Sequence, residues 1–298
     1  MDQQVSEFID YLQSIKNTSE NTVISYKRDL LRMIAFMKER GVTDVKDITQ
    51  DRLLDYERGL KEEHFAPSSI TRHNTSIKTF FRYMLENGNI DENPAENLKS
   101  PKIEKSEPRV LTTVEIENLL SQRFGIDAKG KRDKAILELM YATGLKTSEM
   151  IGLKLSNVDL SLGCIRLAAG GKNGKDRLIP YGKKAREALS DYLLDARGEL
   201  LAEKDDDETV FLNCSGEAMS RQGLWKLIKT YVKKAGVKSD ITPFTLRHSF
   251  AVHLVDNGAD VSSVQELMGY SDSNTISRYI KKRDKVKDPF EWARVRNM

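Results

Sequence analysis

The sequence predicts a mainly α, two-domain protein: a helical bundle over residues 1–98, a linker over 99–108, and an α+β domain with a small antiparallel sheet over 109–298. Three observations predict it. Apolar residues recur at intervals of three and four through the first ninety residues, the period of helices with one buried face. Pro94, Pro101 and Pro108 then fall among Lys, Glu and Ser in Asn93–Pro108, a stretch that closes neither a helix nor a sheet ladder and suits a domain junction. Beyond it, two short strand-like runs flank Asn173-Gly174, the strongest hairpin signal in the chain.

In the first domain a helix is expected over Asp2–Ser14, with Val5, Phe8, Ile9 and Leu12 in one stripe. Ser19 with Glu20 opens a longer helix that carries Tyr26, Leu30, Met33, Ile34 and Met37 and stops at Gly41, a C′ glycine. Thr49 caps a third helix through Leu60. Pro67 and Ser68 open a fourth, with Ile70, Ile77, Phe80, Phe81, Met84 and Leu85 on its buried side and Gly88 at its end. Four or five helices of this length make a bundle.

In the second domain Thr112 or Thr113 caps LTTVEIENLLS, and KRDKAILELMYATGL forms the next helix, ending at Gly144. Thr147 is a plausible cap for TSEMIGLKL. CIRLAAG and DRLIPY are the hairpin strands around Lys172-Asn173-Gly174-Lys175, Tyr181–Leu200 is helical, and TVFLN is a further short strand. Ser220–Ala235, Thr245–Asn257 and Val261–Met268 read as helices, and a last one starting near Ser273 carries Tyr279.

Composition narrows the function classes. The chain has 298 residues and a net charge of +3, yet the sign is unevenly spread: fourteen basic against seventeen acidic residues in 1–100, thirty-four against twenty-eight in 101–298. Basic clusters at Lys172–Arg177, Lys183–Arg186, Lys226–Lys238 and Lys281–Lys287 are each compatible with a solvated face, and together favour a polyanion. Cys164 and Cys214, far apart in strand-like contexts, are expected to be buried thiols and not a disulfide framework. The four histidines and two cysteines form no zinc spacing, and no G-x-G-x-x-G or Walker pattern is present, so neither a metal nor a nucleotide cofactor is expected. No apolar run is long enough for a membrane span and the N-terminus MDQQVSEF lacks the pattern of a secretory signal, which points to the cytoplasm.

Several residues are suited to phosphate chemistry. Arg247 carries a planar fork of donors that matches two phosphate oxygens, and His248 follows it on the same helix. An isolated Arg-His pair is more often a surface ion pair beside a satisfied histidine. Lys172 at a hairpin tip is either solvent-exposed or a general acid that reaches into a groove. Tyr279 is a nucleophile where cations favour its phenolate, and a core residue where Ile276 and Ile280 set its face. The polar face of the fourth helix carries Ser69, Arg72, His73, Ser76, Lys78 and Arg82, which is a wet helix surface or a face against a DNA backbone or groove. Lys175 and Arg177 beside the hairpin, and Arg221 and Lys226 on the basic helix, are the corresponding candidates in the second domain.

Five ordered boxes make the pattern more specific than its parts. They are ATGLKTSEMIGL, GGKNGKDRLIP, PFTLRHSFAVHL, NGADVSSVQELMGYSD and Tyr279, nine residues past Tyr270. The chain resembles the tyrosine recombinase (phage integrase) family, and within it the Xer branch, over nearly its whole length. The resemblance implies an N-terminal SAM-like helical domain and a catalytic domain that together grip duplex DNA. It assigns Lys172 as general acid to the 5′ oxygen, Arg247 as clamp on the scissile phosphate, and Tyr279 as the nucleophile that forms a 3′-phosphotyrosyl link. Glu149 matches the acid that supports the first catalytic arginine, and His248 a family histidine. It further implies a C-terminal tail, KKRDKVKDPFEWARVRNM, passed to a neighbouring copy or a related recombinase subunit on DNA; the tail otherwise folds back in cis.

Three positions depart from the family pattern. Lys146 stands in place of the first arginine and keeps charge without the bidentate fork. Phe244 replaces a histidine or lysine and offers no donor; Tyr270 replaces a histidine or tryptophan and retains a hydroxyl. Loss of one donor to a developing oxyanion costs roughly 3 kcal/mol. The expectation is therefore a DNA-binding protein of this family in which cleavage and rejoining through Tyr279 are impaired or lost, the alternative being an active site-specific recombinase. A protein-interaction module without DNA is the third class; its binding would not weaken as salt rises.

Overall fold

The first apolar stripe folds as α1 (Asp2–Ser14), burying Val5, Phe8, Ile9 and Leu12 as expected. The computed structural model describes residues 1–16, 18–102, 109–168, 176–202, 204–205, 208–237 and 240–269, and divides the chain into two units, Met1–Ser106 and Glu107–Met298.

In the first unit α2 (Glu20–Glu39) starts where the Ser19 hydroxyl accepts the Thr22 N–H, and α3 (Gln50–Glu62) where Thr49 accepts from Arg52. α4 (Pro67–Glu86) has Pro67 in its first turn, where the missing N–H costs nothing. Phe8 meets Phe80 edge-on at 5.5 Å, and Phe80 meets Phe81 at 5.3 Å, so α1 and α4 share an aromatic core. Leu85 is 39% exposed, against expectation: it lies about 100° round the helix from the buried Met84. Ile90, Ala95 and Leu98 complete this core, so the chain packs on the bundle well past the end of α4.

The second unit is built around α6 (Ala128–Thr143), which buries residues on every side and packs against α8 (Lys183–Asp195) and α11 (Pro243–Asp256). Burying α6 also buries Arg132 and Asp133. They pair at 2.7 Å, Arg132 Nη1 donates to the Leu212 carbonyl at 2.9 Å, and the Tyr231 hydroxyl donates to Asp133 at 3.1 Å. The preceding α5 (Thr113–Leu120) is closed by a capping box between Thr112 and Glu115. The segment entering it is held by α11: Ser249 Oγ accepts the Leu111 N–H and His253 Nε2 donates to the Leu111 carbonyl at 2.8 Å. That carbonyl sets the tautomer, so His253 Nδ1 accepts from the Tyr141 hydroxyl.

After α7 (Thr147–Ile151), the sheet runs in order β1 (Val158–Asp159), β2 (Cys164–Leu167), β3 (Arg177–Pro180), all antiparallel, with Ile165 opposite Ile179 and Leu167 opposite Arg177. β1 was not expected; two residues carry no periodicity. The hairpin tip, with Lys172 and Lys175, lies outside the described residues. The helix expected over Tyr181–Leu200 breaks at Ala196 into α8 and α9 (Arg197–Leu201). TVFLN forms no strand, only isolated bridges of Thr209 to Lys154 and Leu212 to Ala218. Side chains take two of its carbonyls: Tyr192 donates to Val210 at 2.9 Å and Arg197 to Thr209 at 3.1 Å. α10 (Arg221–Lys234) and α12 (Val261–Met268) follow the sequence expectation, capped by Ser220 and Asp260. Cys164 is buried, whereas Cys214 is exposed; both are thiols. Among the described residues no helix is long and apolar enough to cross a membrane.

Candidate active site

Thr242 caps α11 and Pro243 occupies its first turn, which sets Arg247 one turn into the helix. Its guanidinium donates Nη1 to the Gly144 carbonyl and Nη2 to the Met268 carbonyl. Those carbonyls belong to the C-terminal ends of α6 and α12, where Gly144 and Gly269 turn the chain with φ of 58° and 61°. Helix C-termini carry partial negative charge, so one cation ties two of them together. The sequence suggested a fork open to phosphate; the structure buries it to 5% exposure with carbonyl oxygens on both terminal nitrogens. A phosphate at this arginine has to share those donors.

Lys146 precedes α7 as its N-cap, and its backbone N–H is accepted by Glu149 Oε2 at 2.8 Å. Glu149 Oε1 accepts from Arg177 Nη2, and Arg177 Nη1 donates to the Leu267 carbonyl at 3.1 Å. The Lys146 ammonium is farther off, 3.8 Å from the same Glu149 oxygen, on a side chain 48% exposed. Arg177, expected among DNA-contacting residues, has a largely buried side chain that joins β3, α7 and the end of α12. Sequence reasoning missed this pairing; its two partners lie 28 residues apart and share no motif.

His248 is buried, and its ring lies parallel to Phe244 at 5.9 Å. Burial pushes its pKa down to about 4, so the ring is neutral at pH 7. Of the two roles expected of His248, donating to a phosphate or supporting the site, burial against Phe244 favours support. Phe244 is 52% exposed, at the start of α11. Tyr270, Tyr279 and the C-terminal tail lie outside the described residues.

The polar face of α4 is also revised. His73 and Ser76 lie inside the first unit, not on a surface that meets DNA. His73 Nδ1 pairs with the Tyr56 hydroxyl at 3.0 Å and its Nε2 lies 3.5 Å from Asp29, while Ser76 donates to the His73 carbonyl. His73 lies three residues from Ile70 and four from Ile77, and Ser76 lies four from Phe80, spacings that put both on the apolar side. Burial, with Arg72 nearby, lowers the His73 pKa to about 4; burial raises that of Asp29 against the pull of Arg72. Arg72 is partly exposed and donates to Asp29 at 2.6 Å, and Arg82 is exposed. On α10, Arg221 and Lys226 are exposed, and the helix has five basic residues and no acid. Trp225, 47% exposed beside Lys229 at 5.1 Å, is a surface aromatic that was not singled out from sequence; an exposed tryptophan on a basic helix was its signal. Among the described residues no group of His, Cys, Asp or Glu is arranged to hold a metal ion.

The helical unit and the α+β unit each match a known family. The Phage integrase family matches residues 109–285, and the family's N-terminal SAM-like domain matches residues 5–88; the chain belongs to this family. Within it the chain is an Xer-like tyrosine recombinase: it is 38% identical to Tyrosine recombinase XerD of Listeria innocua over 94% of both chains, and 38% identical to Tyrosine recombinase XerC of Herpetosiphon aurantiacus over 94% of this chain and 90% of that one. The fold resembles that of the Tn1549 transposon integrase solved with circular intermediate DNA (TM-score 0.75, 19% identity, 99% and 97% covered). It also resembles the XerH recombinase bound to its palindromic difH substrate (TM-score 0.71, 20% identity, 96% and 82% covered).

Proposed function

We propose that this chain binds duplex DNA as a tyrosine recombinase scaffold in which strand cleavage through Tyr279 is impaired. The observation that carries the impairment is Phe244. Its ring stands half exposed at the start of the helix that bears Arg247 and stacks on a neutral, buried His248. A phenyl group there donates nothing to a phosphoryl oxygen, and Lys146 presents one compact ammonium where the family has a bidentate fork. Binding tolerates these changes better than chemistry does, because many phosphate contacts share the affinity. The exposed basic side chains Arg221 and Lys226 of α10, and Arg82 of α4, support DNA as the partner. The relatives' recombinase names and the DNA in the solved complexes support it as well. No cofactor enters this scheme. The C-terminal tail would join copies, or a related recombinase, on the DNA.

Retention of Tyr279, Lys172 and Arg247 keeps a second reading in play, an active recombinase working through a 3′-phosphotyrosyl intermediate. A duplex selected from a random pool, nicked beside the cleavage point, separates the two. Tight binding with little or no covalent adduct is expected. Efficient adduct formation that disappears in Tyr279→Phe would overturn the impairment. Restoring Lys146→Arg and Phe244→His together is expected to raise adduct formation by up to about 10⁴, and by less where the two contacts act as a unit.

A further inference from the structure

A lysine in place of the family's first arginine creates a problem of charge. Glu149 sits one turn along from Lys146, a spacing at which lysine and glutamate attract each other. An ammonium held by its own neighbour has little left to offer a phosphate. The geometry leaves the two in a long ion pair with no hydrogen bond between the ammonium and the carboxylate. Arg177 donates to Glu149 Oε1, the Lys146 backbone N–H takes Oε2 at 2.8 Å, and the Lys146 ammonium remains 3.8 Å away, beyond hydrogen-bonding distance. Arg177 is anchored independently of Glu149: it donates to the Leu267 carbonyl at 3.1 Å, and Gly269 packs so closely that a Cβ there would come within 2.7 Å of the guanidinium carbon. The exposures agree, 12% for the Arg177 side chain and 48% for that of Lys146.

We propose that Arg177 is a positioning residue that occupies the Glu149 carboxylate and thereby keeps the Lys146 ammonium available to a DNA phosphate. This rests on the proposed DNA-binding function. It assigns Arg177 no contact with the DNA. A guanidinium fits the task because its rigid planar fork spans a carboxylate and a backbone carbonyl with two separate nitrogens, whereas a lysine at 177 has all its donors on one compact nitrogen.

The test is the salt dependence of binding by the full chain to a duplex selected from a random pool. Each neutralised phosphate contributes about 0.9 to the slope of log K against log salt. Lys146→Ala is expected to lower the slope by about 0.9, the value for one phosphate contact. Arg177→Ala is expected to lower it by the same amount, with no further loss in the double variant with Lys146→Ala. Glu149→Gln is expected to restore the slope in the Arg177→Ala background, because the trap for the ammonium is then gone. Restoration by Glu149→Gln is the result that a merely structural role for Arg177 does not produce. A slope unchanged by Lys146→Ala overturns the phosphate role of Lys146 and this inference with it. A slope lowered by Lys146→Ala yet unchanged by Arg177→Ala, or not restored by Glu149→Gln, overturns the inference alone. Should Arg177→Ala fail to fold, Glu149→Gln is compared with Glu149→Gln/Arg177→Ala. Equal slopes support the positioning role, and a lower slope in the double variant overturns it by showing that Arg177 itself meets a phosphate.

Discussion

Gly144 is the residue whose replacement most directly links stability to the candidate site. It ends α6 with φ of 58°, a conformation that costs an L-residue about 1–2 kcal/mol. A Cβ at this position would also stand 2.5 Å from Phe250 Cδ1 and 2.8 Å from Met268 Sδ, both in the packed junction of α11 and α12. Overpacking of that kind adds about 1–3 kcal/mol, so Gly144→Ala is expected to lose roughly 2–5 kcal/mol in all. Gly258 is the control in the same unit: its φ is 90°, and among the described residues a Cβ there meets nothing within 4 Å. Gly258→Ala carries the backbone cost alone. Domains of this size lose about 2–4 °C of melting temperature per kcal/mol, so the transition of the second unit is expected to fall by roughly 4–20 °C in Gly144→Ala and 2–8 °C in Gly258→Ala. Calorimetry on the full chain reads both. Equal losses in the two variants would refute the packing contribution. Because the Gly144 carbonyl and the Met268 carbonyl both accept from Arg247, the displacement also reaches the arginine.

Stability should decline on acidification. His73 and His248 are each displaced from 6.5 to about 4 by burial, so the unfolded chain binds protons that the folded one refuses; the contribution is complete above about pH 6.5 and is lost as pH falls towards 4, at an order of 3 kcal/mol for each histidine. The raised carboxyl of Asp29 opposes part of this in the first unit. Denaturant titrations at pH 7, 5.5 and 4 check it, and a stability that rises between pH 6.5 and 4 is the contrary result. Arg132→Met leaves the Asp133 carboxylate buried beside Tyr231 and is expected to cost about 3–5 kcal/mol, with recovery when Asp133→Asn is added; no recovery would count against the ion pair as the cause.

The helices of the first unit were legible because each carries its own signals. Ser19 and Thr49 as caps, Pro67 in a first turn, and Gly41 and Gly88 beyond the last turns all act within a few residues. The errors arose where a distant partner decided the outcome. TVFLN has strand composition, but Arg197, Tyr192 and Arg132 take the carbonyls of Thr209, Val210 and Leu212, and only isolated bridges form. The polar side chains of His73 and Ser76 point to a wet face by sequence alone; Tyr56 and Asp29, from α3 and α2, give His73 partners that make burial tolerable.

The order of the five boxes, the caps and the apolar periods determined the family, the division into a helical and an α+β unit, and which residues carry charge. Local backbone preference and burial of one face act over a few residues, and these are written in the chain. Only the tertiary structure decided that Arg247 spans the ends of α6 and α12, that the Arg177 side chain rather than the Lys146 ammonium hydrogen-bonds Glu149, and that His248 is neutral. Those outcomes depend on which carbonyl or carboxylate lies within about 3 Å of a donor, and on how much water reaches it, neither of which sequence spacing records.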